Sequence, residues 1–188
     1  MNKYSSVIKI NTNNILKNYY FFKKRKKNLI VAPTIKADAY GLGYKKIFDI
    51  LYKKANCRHF FVATLEEGIK IKNKNKKLSI YVLNGIQNYD LNVFIKYNLI
   101  PIINSIQELK RVIKKKINYG LHIDTGINRL GINNLLVPDE VFNNNKLTLV
   151  ISHFSSADEK SNKYNNLQNK KFLELLKKFK NKNIKFSM

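Results

Sequence analysis

The chain has 188 residues, a mass of 22.0 kDa and a formal net charge of +24, so it is the size of one domain or of a fragment of a larger protein. Apolar residues make up 44% of it and aromatic residues 12%, which is enough for a hydrophobic core and argues against a disordered chain. No apolar run approaches the roughly 20 residues of a membrane helix, no signal-peptide segment opens the sequence, and Cys57 has no second cysteine to pair with, which predicts a cytoplasmic protein without membrane contact.

Three segments have the apolar spacing of amphipathic helices. The first spans 13–27, with Thr12 or Asn13 as its N-terminal cap. The second spans 44–55 and the third spans 164–180. The predicted apolar faces of the second and third helices are Ile47, Phe48, Ile50 and Leu51, and Leu167, Phe172, Leu175, Leu176 and Phe179.

Seven short apolar runs, rich in β-branched residues, alternate with these lysine-rich segments. Runs that are apolar throughout are typical of strands buried on both faces of a parallel sheet. One strand and one helix about every 20 to 30 residues predict βα repeats. Because only seven strands are present, the predicted fold is α/β, an incomplete (β/α)8 TIM barrel. The predicted strands are 28–36, 59–64, 78–83, 99–103, 118–124, 146–154 and 183–188.

An open doubly wound sheet is the structural alternative. Gly41 and Gly43 follow the first strand, as in a dinucleotide-binding turn, but Lys46 stands where a third glycine or alanine is required. A dinucleotide site is therefore not favoured. In either architecture the functional groups are expected at the carboxyl ends of the strands.

Lysines account for all but four of the 36 basic residues and are spread over the whole chain. Nucleic-acid readers favour arginine and cluster their charge on one face. Lysine, asparagine and isoleucine share A/T-rich codons, so an A/T-rich genome explains the composition equally well. We predict no specific nucleic-acid partner, although non-specific binding of polyanions at low salt is expected.

Chemically distinctive side chains follow three of the predicted strands. Lys36 and Tyr40 follow the first, Asp124 and Arg129 follow the fifth, and His153 lies at the end of the sixth. An amine, a phenol, a guanidinium and an imidazole on one rim suit an anionic carbonyl compound better than a metal ion. A half-buried lysine loses its proton more easily and can then bond covalently to a carbonyl carbon.

Three motifs at these strand ends resemble the alanine racemase family. Residues 35–43 (IKADAYGLG) resemble its pyridoxal-phosphate lysine motif, and residues 122–131 (HIDTGINRLG) resemble its central motif. Residues 152–159 (SHFSSADE) resemble its third motif, and the three occur in the family's order. The resemblance implies a PLP-dependent isomerase that interconverts L-alanine and D-alanine for peptidoglycan synthesis.

The resemblance also implies a role for each residue. Lys36 would bind pyridoxal phosphate (PLP) covalently and act as the catalytic base on one face of the substrate α-carbon. Tyr40 would bind the cofactor phosphate. Arg129 would approach the cofactor's phenolic oxygen and contact the substrate, and His153 would pack against the pyridine ring.

By the same resemblance, residues 1–188 form the family's N-terminal PLP-binding barrel domain. Residues 1–12 are expected to form a leading strand segment, with Ile8–Asn11 as its strand, and residues 13–188 a partial barrel. The implied partners are the small-molecule substrate alanine and a second copy of the chain, because the full-length family is homodimeric.

Two departures from the family pattern alter these expectations. His122 stands where many members have a lysine that becomes carbamylated and steadies the arginine, so Arg129 is expected to be held by a bound anion or a nearby carboxylate. The sequence stops in the seventh strand, about halfway through a family member. The 188 residues are therefore expected to lack the family's C-terminal β domain with the tyrosine that serves as second base, and the 188-residue chain is expected to be inactive alone.

Two other interpretations remain. One is a single-domain barrel protein that carries PLP without racemising amino acids, although such proteins lack motifs like those at 122–131 and 152–159. The other is a non-catalytic product of a truncated gene that binds polyanions through its lysines.

Overall fold

A computed structural model describes residues 6–72, 77–180 and 183–188. Its centre is a curled, open sheet whose strands are all parallel, in the order β1-β2-β3-β4-β6-β7, with the short β5 paired to the end of β4. The strands are β1 (His59–Val62), β2 (Ser79–Val82), β3 (Ile100–Ile103), β4 (Tyr119–Asp124), β5 (Ile132–Asn133), β6 (Leu147–Ile151) and β7 (Lys185–Ser187).

Helices precede or connect the strands and cover the convex face of the sheet. They are α1 (Thr12–Lys23), α2 (Lys36–Tyr40), α3 (Tyr44–Lys54), α4 (Leu65–Lys72), α5 (Leu91–Tyr97), α6 (Ile106–Lys115) and α7 (Lys163–Leu176), with 3-10 turns at Asn134–Leu136 and Asp139–Asn143. This alternation confirms the predicted α/β fold of the incomplete-barrel type.

Both faces of the central strands β2, β3, β4 and β6 are largely buried, as their continuous apolarity predicts, whereas β7 is mostly exposed. Phe60 and Val62 point into the large core between the sheet and the helices, where Ile47 and Leu51 of α3 meet them. The alternate side chains, such as Phe61, form a second cluster on the concave face. That cluster includes Tyr81, Ile102, Leu149 and Ile151. Period-two alternation along each strand separates the two clusters.

The helix predictions need small corrections at their ends. Helix α1 begins at Thr12 with Asn11 as its cap, because the Asn11 side chain accepts hydrogen bonds from the amides of Asn13 and Asn14 at 3.1 and 3.2 Å. It ends at Lys23 rather than at residue 27.

The other two predicted helices keep most of their apolar faces. Helix α3 agrees with its prediction and buries Ile47, Ile50 and Leu51. Helix α7 ends at Leu176 rather than at residue 180, and Leu167, predicted to be on its apolar face, is 45% exposed.

The first predicted strand, 28–36, is only partly formed. It contributes one bridge, between Thr34 and Phe61, flanked by hydrogen bonds from Ile35 N to Phe61 O and from Phe61 N to Pro33 O, both 2.9 Å. Pro33 has no amide hydrogen and cannot extend the ladder. Lys36 starts α2 instead of ending a strand.

The predicted leading strand at Ile8–Asn11 is also wrong. Residues 6–11 have no regular secondary structure, because Val7 and Ile8 are 64% and 73% exposed and only Ile10 of this segment's apolar residues packs against the core. Residues 1–5 of the predicted leading segment lie outside the described residues.

The sheet remains open between β7 and the segment around Thr34. A cavity of about 450 Å³ lies at this opening, lined by concave-face side chains such as Phe61, Leu149 and Phe186, and by Lys26 and Lys185. Over the ranges 6–72, 77–180 and 183–188, no helix combines the length and the apolarity needed to cross a membrane.

Candidate active site

The predicted site residues lie at the carboxyl ends of the strands. Lys36 is half-buried at the start of α2, and His153 follows β6. Arg129 lies in the loop between β4 and β5, and its side chain is exposed. The positive charges of Arg129 and Lys36 both act on His153, so these three side chains share one electrostatic environment.

Helix α2 is a left-handed turn, which we call the lysine turn. Ala37, Asp38 and Ala39 have φ of 49°, 52° and 54° with ψ near 50°, and Tyr40 has φ of 56°. For non-glycine residues this conformation costs about 1–2 kcal/mol each. Such strain persists only where surrounding contacts hold it, and it is concentrated at functional sites.

Two carboxylates hold the lysine turn in place. Glu67 of α4 accepts a hydrogen bond from the amide of Ala37 at 2.7 Å through one oxygen. Its other oxygen accepts from the amides of Ala63 at 2.7 Å and Thr64 at 3.4 Å, so one side chain joins the lysine turn to the end of β1. Asp38 accepts from the amide of Tyr44 at 2.7 Å and thereby ties the turn to the start of α3.

The loop that carries Arg129, residues 124–131, is the arginine loop. Asp124 folds its first half by accepting hydrogen bonds from the amides of Gly126 at 2.8 Å and Asn128 at 3.2 Å. Gly126 has φ of 136°, and a β-carbon there would lie 2.2 Å from the hydroxyl of Tyr164. That hydroxyl donates to the carbonyl of Gly126 at 3.1 Å, so α7 fixes the loop from outside.

Gln168 of α7 joins the arginine loop to the loop after β6. Its side chain is fully buried. Its amide nitrogen donates to the Thr125 hydroxyl at 3.3 Å and to the His153 carbonyl at 3.1 Å, and its oxygen accepts from the Ser155 amide at 3.0 Å. The Thr125 hydroxyl also pairs with that of Ser152 at 2.8 Å. The backbone on either side of His153 is therefore rigidly held.

The charge state of His153 follows from its neighbours. Although the residue is exposed overall, burial of its ring is the largest of the effects that lower its pKa. The positive charges of Arg129 and Lys36 lower the pKa of His153 further, against a hydrogen bond with the Phe154 backbone that raises it. His153 is accordingly a neutral imidazole at pH 7.

His122 lies beneath this rim, on β4. Its side chain is only 6% exposed, and its Nδ1 lies 2.9 Å from Oδ1 of Asn104. Burial lowers the pKa of His122 to about 4, with Asp124 opposing the shift and His153 and Arg129 adding to it. Its Nε2 is buried and has no hydrogen-bond partner in the part of the chain that the structure describes.

Tyr40 and Arg129 are the least constrained of the predicted site residues. The Tyr40 side chain is 65% exposed and extends from the lysine turn. No carboxylate among the described residues lies within 4 Å of the Arg129 guanidinium. The ion pair seen among the described residues joins Asp49 and Lys53, both on α3. The carboxylate expected to hold Arg129 is therefore absent from residues 6–72, 77–180 and 183–188.

Three residues that support the rim, Glu67, Glu108 and Gln168, were not predicted from the sequence. Glu67 and Glu108 each stand three positions after a Thr or Ser, the capping-box pattern, which could have indicated them. Glu108 accepts from the amides of Ile86 and Asn104, both at 2.9 Å, and so repeats the role of Glu67 two strands away. No sequence signal distinguishes Gln168 from other polar residues on its helix.

The arrangement suits a compound with a reactive carbonyl group and negative charge. Lys36 supplies a primary amine, Arg129 supplies cationic hydrogen-bond donors, and His153 supplies a neutral ring. A neutral ring beside two cations leaves the positive field of the rim available to an anion.

Comparison with known proteins gives the same picture over nearly the whole chain. The family model described as "Alanine racemase, N-terminal domain" matches residues 10–188. An alanine racemase from Rickettsia prowazekii (strain Madrid E) is 34% identical over 192 residues, covering 96% of this chain and 47% of that protein. One from Rickettsia bellii (strain RML369-C) is 36% identical over 168 residues, covering 82% of this chain and 40% of that protein.

Among solved structures, the alanine racemase from Bartonella henselae with covalently bound pyridoxal phosphate superimposes with a TM-score of 0.82. Its sequence is 28% identical, and the match covers 94% of this chain and 55% of that one. The chain thus spans about half the length of the relatives that it matches.

Proposed function

The chain belongs to the alanine racemase family through that family's N-terminal domain, and we propose that it provides the lysine half of a PLP-dependent alanine racemase. Because the chain spans about half of its relatives, the activity of a whole racemase is part of this proposal. The proposal also includes alanine as substrate, a homodimeric assembly, a role in supplying D-alanine for peptidoglycan and a cytoplasmic location.

The donor set at the rim fits PLP. Lys36 would hold its aldehyde carbon covalently, and Arg129 would hold its phenolic oxygen. Tyr40, exposed at the end of the lysine turn, would donate its hydroxyl to the phosphate, and His153 would pack against the ring as a neutral imidazole. Bound PLP supplies an electron-accepting ring that makes the α-hydrogen of an amino acid acidic.

The observation that carries the proposal is the strained lysine turn. Four successive left-handed residues follow Lys36, and Glu67 and Asp38 fasten them with hydrogen bonds of 2.7 Å. A turn that only connected a strand to a helix would not need this conformation. Strain of this kind persists only where the surroundings hold it, and it clusters at active sites and ligand-binding sites.

In this arrangement the Lys36 amine would take the proton from one face of the substrate α-carbon. Arg129 would orient the reacting group, and neutral His153 would not return a proton to the amine. Racemisation also needs an acid on the opposite face, which the family resemblance assigns to a tyrosine of the C-terminal domain.

Covalent capture of the cofactor tests the proposal. The 188-residue protein is incubated with PLP, reduced with borohydride and mapped by peptide mass spectrometry. Lys36 should take up the pyridoxyl group well above the other lysines. The matched control is Lys45→Arg, on the exposed face of α3, which should label like the unaltered chain, whereas Lys36→Arg should lose the dominant site.

Pyridoxyl labelling that is spread uniformly over the surface lysines would contradict a PLP site at Lys36. Racemisation is then measured from the optical rotation of L-alanine, with and without a separately produced C-terminal half of a relative. Selective capture at Lys36 with no racemisation in either case would favour the non-racemising PLP carrier.

A further inference from the structure

His122 uses only half of its hydrogen-bonding capacity. The side chain is 6% exposed, and its Nδ1 is engaged with Asn104, but its Nε2 is buried without a partner among the described residues. A buried polar atom that is left unpaired is destabilising, so it is rare in a native structure without a functional reason.

The surroundings of Asn104 decide which ring nitrogen carries the proton. The Asn104 amide nitrogen donates to the carbonyls of Leu83 and Ile102, both at 2.9 Å. Carbonyl groups only accept, so this orientation of the amide is fixed and its oxygen faces His122. Nδ1 of His122 must then be the donor at 2.9 Å. In a neutral imidazole the other nitrogen, Nε2, is a bare acceptor.

The arginine loop lies against the edge of the ring that carries this acceptor. A β-carbon at Gly131 would be 3.2 Å from Cδ2 of His122, the carbon bonded to Nε2. Arg129 stands two residues earlier in the same loop, and its charge acts on the His122 ring. A guanidinium has five donors and no acceptor, and that of Arg129 has no carboxylate within 4 Å in the described part of the chain.

We propose that the guanidinium of Arg129, which is exposed and does not contact this atom in the structure, turns inward to donate a hydrogen bond to Nε2 of His122, and that His122 is the positioning residue for this arginine. An uncharged acceptor then orients Arg129, and neither a bound anion nor a carboxylate is required. Asn104 acts on Arg129 only through His122, because it selects the His122 tautomer that leaves Nε2 free to accept. The hydrogen bond itself requires no cofactor; only its importance for catalysis rests on the proposed function.

Nitrogen NMR of the histidine rings tests the tautomer directly. Two-bond ¹H–¹⁵N spectra of the ¹⁵N-labelled 188-residue chain at pH 7 should show His122 protonated at Nδ1, with Nε2 shifted from the bare-nitrogen position by the hydrogen bond it accepts. Arg129→Ala should move the Nε2 resonance to the bare position. Arg25→Lys, at an exposed position just after α1, is the matched control and should leave it unchanged. An Nε2–H tautomer, or an Nε2 resonance indifferent to Arg129→Ala, overturns the proposal.

Two substitutions of His122 distinguish the roles of its two ring nitrogens. Glutamine places its carbonyl near the position of Nε2, whereas asparagine matches only Nδ1. The readout is the order of the Arg129 Nε–H group, from its ¹⁵N heteronuclear NOE, with the backbone amide spectrum as the check on folding. Arg129 should stay ordered in His122→Gln and become mobile in His122→Asn.

Equal order in the two variants contradicts the proposal. So does an Arg129 signal in the unaltered chain that becomes ordered only when bicarbonate or inorganic phosphate is added, because that result assigns the arginine to an anion. These readouts use no cofactor, so their failure is distinguishable from failure of the PLP site.

Discussion

The lysine turn and the arginine loop form the same rim, but they are held in different ways. The lysine turn lies near the surface, and its strained backbone is held by two carboxylates, Glu67 and Asp38. The arginine loop also uses a carboxylate, that of its own Asp124, but the groups of other elements that hold it are neutral, with the fully buried Gln168 at the centre.

This difference predicts different responses to substitution. Strain in the lysine turn is local, so single changes of backbone or charge alter it in small steps. The network under the arginine loop is shared between α7, β4 and β6, and loss of one member leaves several buried groups unpaired. The following experiments test this contrast, in order of decreasing expected effect.

Replacing the central residue of the buried network should have the largest effect. Gln168→Leu keeps the side-chain size but leaves the groups of Thr125, His153 and Ser155 without their partner. We expect a loss of about 4 kcal/mol in the free energy of unfolding, since each unpaired buried group costs roughly 1–3 kcal/mol. Urea unfolding measures it, with the exposed Gln107→Leu of α6 as control. Equal losses in the two variants would show that the network does not hold the loop.

The buried histidine should make stability depend on pH. The folded pKa of His122, about 4, lies below its ordinary 6.5, so the unfolded chain binds more protons between these values. Stability is therefore intact above pH 6.5 and falls as the pH drops towards 4. The loss attributable to His122 should approach about 3 kcal/mol at pH 4.

The measurement is the difference between the unfolding curves of the unaltered chain and His122→Gln over this pH range. Asp124, Arg129 and His153 are the charged or titrating groups that act on the ring, and all three are unchanged in the variant. A difference that does not vary with pH would mean that His122 does not stay neutral in the fold.

Removing the charge of Glu67 should release the lysine turn without unfolding the sheet. Glu67→Gln weakens the charge-assisted bonds to the amides of Ala37 and Ala63, with an expected loss of about 2 kcal/mol. Hydrogen exchange at the Ala37 amide should accelerate by about thirtyfold. Glu66→Gln is the control, because its exposed carboxylate accepts from the Tyr89 hydroxyl and contacts neither amide. Unchanged exchange at Ala37 in Glu67→Gln would remove Glu67 as its anchor.

Changing the backbone strain should have the smallest effect on the free energy of unfolding. One substitution relieves strain in the lysine turn and the other introduces it nearby, so their effects should have opposite signs. Ala37→Gly should raise the free energy of unfolding by about 1 kcal/mol, because glycine adopts a positive φ without the β-carbon penalty. Gly41→Ala should lower it by about the same amount, since φ is 81° there and no atom within 4 Å obstructs the new β-carbon. Thermal unfolding distinguishes the two; a loss in Ala37→Gly would argue against strain.

The sequence by itself determined the class of fold and predicted where the candidate site would lie. Continuous apolar runs such as 78–83 are long enough for a strand and have no polar face, so they predict strands buried on both faces of a parallel sheet. Parallel strands bring their carboxyl ends to one edge, which is why Lys36, Arg129 and His153 could be assigned to a common rim before any contact was known.

Only the tertiary structure decided how that rim is held. The left-handed turn after Lys36 depends on Glu67, 30 positions beyond the amide that it accepts from. The tautomer of His122 depends on Asn104, 18 positions earlier, and the arginine loop depends on Gln168, 43 positions beyond Thr125. Hydrophobic periodicity reports which residues are buried, but the donor and acceptor pairing of buried polar groups is fixed only when distant segments pack together.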